Sequence, residues 1–283
     1  MKLINAIRYL NRIDRRVLYT LLILAITIPF FFTIQIPVPI SRQTDQLYNA
    51  IEALPEHSLV LFGADWSAST RGENRAQSIA LMLHLMRKKV RIIILCFDPQ
   101  AKTLMQNIVL KMQKEHGYQE GRDWANFGYR TDQANFLKAF AQNIPSTLSM
   151  DIHGTRVQDL PVMHGVQTAR DIAMLVNISA SATTDTYIQY LQGSYHLKMA
   201  AAVTSVMVPE AFNRLDSGQL VGLMPGLQGA IEYEQKLGYV GKASAASVSA
   251  SVAHLLVIAL ILLGNICMLL EKRIGSAERG KND

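Results

Sequence analysis

The sequence predicts an α/β fold with an open, mostly parallel three-layer sheet, flanked by one N-terminal and one C-terminal transmembrane helix. Two segments, 17–37 and 252–270, contain no charged residue and have about the 20-residue length that a helix needs to cross a bilayer. Between them, short apolar runs alternate with helical patterns. Crossovers of this length favour parallel pairing, with helices on both faces of the sheet.

Lysine and arginine cluster outside the two apolar segments. Five precede the first segment and four follow the second. Short flanks rich in these residues stay in the cytoplasm. We therefore expect a cytoplasmic basic tail over 1–16, an extracytoplasmic domain over 41–242 and a second cytoplasmic tail over 271–283. We expect a protein of the bacterial inner membrane with both termini in the cytoplasm (N-in/C-in) and a small-residue linker over 243–251.

The first apolar segment is expected to remain attached to the mature protein. Its apolar run is longer than the roughly 7–15 residues typical of a signal peptide, and no Ala-x-Ala-like cleavage site follows it. Of the two cysteines, Cys96 and Cys267, the second lies inside a membrane segment. The outer domain is thus predicted to have no disulfide and to depend on its hydrophobic core.

The net charge of +6 does not indicate a nucleic-acid partner, because the excess lies at the membrane flanks. Residues 41–245 carry 19 Lys and Arg against 18 Asp and Glu, so the outer domain is almost neutral. Nucleic-acid binding needs a concentration of positive charge. The charge pattern instead predicts contact with the membrane and excludes DNA and RNA as partners.

Five apolar or β-branched runs predict strands at 57–63, 90–97, 172–178, 198–206 and 221–223. Apolar residues at helical spacing predict helices at 73–89, 99–116, 131–143, 185–195, 209–215 and 227–237. Thr70 and Glu73 have the spacing of a capping box at the start of the first of these helices. Residues 146–171 are predicted to form a long loop with short ordered pieces.

Ligands of open parallel sheets bind outside the carboxyl ends of the strands. The candidate ligand-binding residues at this edge are Asp65, Asp98, Asn177, Ser179 and Ser181. The turn over 179–184 could hold an anion through its amides, but it lacks the glycines of a phosphate loop, and helix capping explains its hydroxyl groups equally well. The two carboxylates would be the catalytic groups if the domain is an enzyme.

The sharpest motif is Asp65-Trp66-Ser67-Ala68-Ser69, which resembles the metal-ion-dependent adhesion motif of von Willebrand factor A domains. The resemblance implies Mg²⁺ as a cofactor, held by Asp65, Ser67 and Ser69, because this ion prefers oxygen ligands. The family also uses a later Thr, for which Thr131 could stand, and a second Asp that has no counterpart here. Capping of the following helix is the alternative role for these hydroxyl groups.

Within the second apolar segment, Gly264 and Asn265 form the predicted helix–helix contact. Small residues let two helices approach closely, and an amide can form a hydrogen bond between them. The contacting helix would be the first span, a second copy of the chain or a helix of a partner.

Taken as a whole, the chain resembles uncharacterised bacterial membrane proteins, particularly over 87–99 and 217–234. The resemblance implies a Rossmann-like extracytoplasmic domain between two anchors and no established activity. The leading hypothesis is a binding or scaffolding module in a membrane complex, with other membrane or envelope proteins or further copies of the chain as partners. A metal-dependent adhesion-type module and an extracytoplasmic enzyme are the alternatives.

Overall fold

The computed structural model describes residues 14–31 and 37–279. The chain divides into two compact units, an α/β domain over Pro37–Ala243 and a unit made of the terminal segments Met1–Ile36 and Ser244–Asp283.

Six parallel strands form one sheet in the order β3-β2-β1-β4-β5-β6. This is the doubly wound order of Rossmann-like sheets, and it confirms the predicted α/β class. Most strands are continuous runs of apolar residues because helices cover both faces of the sheet. The strands are β1 Leu59–Asp65, β2 Arg91–Cys96, β3 Trp124–Tyr129, β4 Met174–Ser179, β5 Met199–Val203 and β6 Leu223–Pro225.

Helices follow most strands, as a parallel sheet requires. One of them, α7, continues through a π turn over Ile188–Gln192 to a last turn at Gly193–Tyr195. The helices in chain order are α1 Arg15–Thr27, α2 Arg42–Glu52, α3 Arg71–Arg87, α4 Ala101–Met112, α5 Gln133–Gln142, α6 Ile144–Leu148, α7 Thr183–Tyr187, α8 Val208–Asp216, α9 Gly226–Lys236 and α10 Lys242–Arg279.

Two hydrophobic cores lie on opposite faces of the sheet. Alternate strand residues point to opposite faces, so Phe62 and Ile94 belong to one core and Leu61 and Ile93 to the other. Helices α2, α3, α4 and α9 cover the first core, and α5, α6, α7 and α8 cover the second. The domain is therefore the predicted three-layer sandwich.

The two ends of the domain are hydrogen-bonded to each other. The Val38 amide donates to Gln235 Oε1 at 2.8 Å, and Gln235 Nε2 donates back to the Val38 carbonyl at 2.9 Å. The Ser41 amide donates to Glu232 Oε2 at 3.0 Å. The first residues of the domain are thus hydrogen-bonded to α9, the helix that precedes α10.

Two elements of the domain were not predicted. Strand β3 has a polar residue and a glycine inside it, Asn126 and Gly128, so it lacks the apolar run of its neighbours. Asn126 is fully buried, and its amide donates to the Lys102 carbonyl at 3.1 Å and to Gln106 Oε1 at 3.0 Å. Helix α2 is the other, and it buries Thr44, Leu47 and Ile51. Most of its residues are polar, so the sequence did not reveal its single stripe of buried residues.

The predicted capping box at the start of α3 is wrong. Thr70 makes no side-chain capping bond. Glu73 instead accepts hydrogen bonds from the Ser205 amide and hydroxyl, both at 2.8 Å, and so links α3 to the loop after β5. The predicted loop over 146–171 is largely confirmed, since it holds the end of α6 and three short 3-10 turns.

In the terminal unit, α10 includes residues 243–251, so the predicted linker is instead helical. Of the described residues, only Ala243–Leu270 form a helix long and apolar enough to cross a membrane, with a mean hydropathy of 2.5. Helix α1 has 13 residues, and the 3-10 turn Ile28–Phe31 follows it. Because 32–36 lie outside the described residues, the predicted first span is not shown, and most of the basic tail over 1–16 lies outside them as well.

Candidate functional site

The topological switch point of the sheet lies between β1 and β4, from which the chain winds in opposite directions. At the carboxyl ends of these strands, Asp65 pairs with Ser179, and Asn177 pairs with Gly63. The fold therefore brings together three of the five predicted ligand-binding residues, Asp65, Asn177 and Ser179.

Asp65 is buried at the end of β1, where its side chain is only 4% exposed. Its Oδ1 accepts a hydrogen bond from the Phe97 amide at 2.7 Å, and its Oδ2 accepts one from Asn177 Nδ2 at 2.7 Å. Burial raises the pKa of Asp65 to about 7, although these two donors act in the opposite direction. The carboxyl group is thus internally hydrogen-bonded and titrates close to neutral pH.

Asn177 connects Asp65 to the helix that follows β4. Its Nδ2 also lies 3.3 Å from the Gly63 carbonyl, and its Oδ1 accepts from the Thr184 hydroxyl at 2.7 Å. A Cβ at Gly63 would lie 2.9 Å from the Tyr187 hydroxyl and 3.0 Å from Asn177 Nδ2. Glycine at position 63 is therefore what allows these two side chains to approach β1.

The turn after β4 is closed by its own hydroxyl groups. Ser179 Oγ accepts from the Ser181 amide at 3.0 Å and lies 2.7 Å from the Thr183 hydroxyl. Ser181 itself is exposed. We call Asp65, Asn177, Ser179, Thr183 and Thr184 the switch-point cluster. Several side chains that the sequence predicted to bind a ligand are instead hydrogen-bonded to other members of this cluster.

Asp98 is separate from this cluster and organises the start of α4. Its Oδ1 accepts from the Gln100 amide at 2.8 Å, and Gln100 Oε1 accepts from the Ala68 amide at 2.9 Å. The loops after β1 and β2 are joined in this way. Asp98 therefore has a hydrogen bond of its own and no hydrogen-bond partner in common with Asp65, although its charge contributes to the raised pKa of Asp65.

The predicted metal ligands are also engaged by other groups. Ser67 and Ser69 lie on the exposed side of the loop, and their hydroxyl oxygens are 2.7 Å apart. Both oxygens of Asp65 face hydrogen donors, so a Mg²⁺ ion held by these three residues would have to replace existing bonds. Among the described residues, no three His, Cys, Asp or Glu side chains are placed to share a metal ion.

A groove between α3 and α4 was not found by sequence reasoning. It encloses about 560 Å³. Its polar lining is cationic, with Arg71, Arg75 and Lys111 against one carboxylate, Glu115. The signal in the sequence is the four-residue spacing of Arg71, Arg75 and Ile79, which places these side chains on one face of a helix. That spacing alone does not reveal that α4 lies opposite.

A second buried polar cluster joins α2, α3 and α9. His84 Nδ1 lies 2.6 Å from the Tyr233 hydroxyl, and His84 Nε2 lies 3.0 Å from Glu52 Oε1. The Tyr48 ring stacks on His84 with 4.4 Å between centroids. Burial lowers the pKa of His84, and Glu52 opposes that effect. Its members lie far apart in the sequence, which is why no local motif indicated them.

Gly264 and Asn265 are both exposed on α10. No described atom lies within 4 Å of the place where a Cβ on Gly264 would be. A helix contact at this position would therefore involve a second copy or a partner, or residues outside those described, and it stays a prediction.

No family model and no curated protein match this chain. Among solved structures, a trehalose-6-phosphate synthase, OtsA, is similar with 9% identity and a TM-score of 0.37, over 84% of this chain and 47% of that one. The N-terminal domain of Candida albicans trehalose-6-phosphate phosphatase has 9% identity and a TM-score of 0.38, over 80% and 44%. The chain spans less than half the length of either, and likenesses at this level carry no argument about its activity.

Proposed function

We propose that this chain is a membrane-anchored protein of the bacterial envelope whose outer α/β domain binds or scaffolds other proteins. The observation that carries the proposal is the internal pairing of the switch-point cluster. Asp65 and Asn177 use both of their polar side-chain atoms in bonds to the domain itself. An enzyme needs such groups available to a substrate, whereas a binding domain needs them only for a rigid framework.

Anchoring is supported by the apolar helix Ala243–Leu270, which is long and apolar enough to cross a membrane. The basic residues at both chain ends support a cytoplasmic location of the termini.

The topology is tested with reporter fusions after residues 140 and 278 of the full chain. We expect an extracytoplasmic signal at 140 and a cytoplasmic signal at 278. Neutralising Arg8, Arg12, Arg15 and Arg16 should weaken this orientation. A cytoplasmic signal at 140 in the unaltered chain would contradict the proposed location.

Partner binding is tested by photo-cross-linking in intact cells. Val206 is an apolar side chain, 85% exposed in the loop after β5, and is therefore a suitable site for the cross-linker. Lys138, exposed on α5, is the matched control site. We expect a discrete product from Val206, unchanged when Asp65→Asn and Asp98→Asn are introduced. Absence of any position-dependent product would count against a scaffold.

An enzyme is the second candidate, and one observation favours it. A buried carboxyl group with a pKa of about 7 is typical of general acids and bases, as Asp65 would be. In that case, Asp65→Asn should abolish the cellular function of the protein while the domain stays folded and its cross-links persist. A scaffold predicts that function survives this substitution.

A further inference from the structure

The two helices that form the α3–α4 groove run in the same direction. Each helix follows a strand of the parallel sheet, so the first residues of both lie at the carboxyl edge. Helix α3 contributes Arg71, Arg75 and Ile79 at four-residue intervals. Helix α4 faces them with the apolar side chains Leu104 and Ile108. The groove thus has two arginines near the carboxyl edge, beside an apolar wall that extends along α4.

The cationic side chains of the groove have no partners among the described residues. The side chains of Arg71, Arg75 and Lys111 make no hydrogen bond or ion pair there, and Glu115 is the one acidic residue in the described lining. Other arginines of the domain do pair with carboxylates, such as Arg156 with Asp159 at 2.8 Å. An unpaired group of like charges in a concave surface favours an anionic ligand.

The position of these charges costs the fold stability. Arg71 is the first residue of α3, at the positive end of the helix dipole, where a cation is unfavourable. Arg75 adds a like charge one turn later, and such pairs repel each other. These arginines therefore do not stabilise α3, and a ligand anion would supply the charge that the protein lacks.

Two aromatic residues, Trp66 and Tyr239, also line the groove. Trp66 is 1% exposed, and its Nε1 is buried with no hydrogen-bond partner among the described residues. Tyr239 lies at the far end of the groove, four residues before Ala243, the first residue of the apolar helix. A volume of about 560 Å³ is within the range of small-molecule sites.

We propose that the α3–α4 groove binds an anionic amphiphile, a phosphate- or carboxylate-bearing molecule with a short apolar chain. Arg71 and Arg75 hold the anion through charge-assisted hydrogen bonds, and the chain lies along Ile79, Leu104 and Ile108. The same chemistry occurs in soluble metabolites and in the headgroup region of anionic lipids. The site is independent of partner binding, and only the lipid source depends on the proposed anchoring.

Binding is measured on the full chain in nanodiscs of zwitterionic lipid, with empty nanodiscs as the blank. The probes are hexyl phosphate, inorganic phosphate and hexanol, and their binding is followed by equilibrium dialysis and by tryptophan fluorescence. We expect saturable binding of hexyl phosphate, binding of inorganic phosphate at least tenfold weaker, and no saturable binding of hexanol. Equal binding of hexanol and hexyl phosphate would remove the case for an anion site.

Substitutions then assign the binding to the groove. Arg71→Gln combined with Arg75→Gln should weaken hexyl phosphate binding at least tenfold, because two charge-assisted contacts are lost. Lys111→Gln should weaken it less than the double substitution, because Lys111 lies at the other end of the groove, and Lys114→Gln, outside the groove, should leave it unchanged. Leu104→Gln should weaken hexyl phosphate and leave inorganic phosphate unchanged. Undiminished binding in the double variant, with a thermal unfolding midpoint no lower than that of the wild type, would overturn the proposal.

The source of the ligand is distinguished by the lipid. Nanodiscs containing phosphatidylglycerol should compete with hexyl phosphate if the groove takes a membrane lipid, raising its apparent Kd. An unchanged Kd in these nanodiscs would assign the groove to a soluble anion. Competition that persists in the Arg71→Gln, Arg75→Gln variant would show that the lipid acts elsewhere and would exclude it as the groove ligand.

Discussion

The switch-point cluster and the α3–α4 groove are neighbours that use polar side chains in opposite ways. Asp65 ends β1 and is held by two donors, whereas Trp66, the next residue, lines a groove whose cationic side chains have no partner among the described residues. In the cluster, each polar atom of Asp65 and Asn177 has a partner inside the domain. In the groove, we expect Arg71 and Arg75 to reduce the stability of their own helix. The two regions therefore differ in whether their polar side chains have partners, and not in the types of residue that they contain.

The largest expected effect is a pH dependence that belongs to the cluster alone. Asp65 has a pKa of about 7 in the folded state and 3.8 as its ordinary value, so the folded protein binds the extra proton between these values. The stability that the protonated form contributes is complete below pH 3.8 and is lost as pH rises towards 7. The difference corresponds to roughly 4 kcal/mol.

Urea unfolding of the full chain in detergent, followed by tryptophan fluorescence from pH 4 to 8, measures this effect. Relative to Asp65→Asn, which carries no charge at any pH, the wild type should lose stability as pH rises. The groove variant Lys111→Gln should follow the wild-type profile. Parallel profiles for wild type and Asp65→Asn would mean that Asp65 stays ionised, and the cluster would then be a more open site than its burial indicates.

The next effect comes from breaking the cluster at its connecting residue. Asn177→Leu removes the donor to Asp65 and the acceptor for Thr184, leaving two buried polar groups unsatisfied. At 1–3 kcal/mol for each such group, we expect a loss of about 3 kcal/mol in the free energy of unfolding. Asn107→Leu, the same substitution at an exposed residue of the groove, should change it by less than about 0.5 kcal/mol. Equal effects would erase the distinction between the two regions.

The sequence predicted the layers of the fold because buried parallel strands have a strong local signal. The run 90–97 is apolar except for Arg91 near its start, as expected for a strand that has helices packed on both faces of its sheet. Strand β3 was not predicted because it is not a continuous apolar run. Its buried Asn126 is hydrogen-bonded to Lys102 and Gln106, and no local sequence pattern reveals these contacts. Helix α2 was not predicted because only one narrow stripe of its surface is buried.

The site could be predicted only in part. The position of Asp65 follows from the rule that ligands bind at the carboxyl ends of strands, and the structure does place it at the switch point beside Asn177. That its oxygens are both occupied depends on the Phe97 amide and the Asn177 side chain, which are distant in sequence. The α3–α4 groove likewise exists only once two helices are side by side.

A smaller effect should come from removing the groove cations. Arg71→Gln with Arg75→Gln relieves the repulsion between the two charges and the unfavourable interaction with the α3 dipole. We expect the free energy of unfolding to rise by about 0.5 kcal/mol at low salt, and the gain to shrink in high salt because salt screens exposed charges. A loss of stability would show that these arginines have structural partners.

The smallest expected effect is that of divalent metal. If Asp65, Ser67 and Ser69 held Mg²⁺, an ion at 100 times its Kd would stabilise the protein by about 2.7 kcal/mol, and Asp65→Ala would abolish the gain. Because both Asp65 oxygens already accept hydrogen bonds and the two serine hydroxyls pair with each other, we expect no shift of the unfolding midpoint with Mg²⁺ or Mn²⁺. Ser67→Ala removes a second proposed ligand and should also abolish any gain that depends on this site. An increase that needs both Asp65 and Ser67 would mean that metal opens the cluster, and the adhesion-type module would then replace the scaffold as the better explanation.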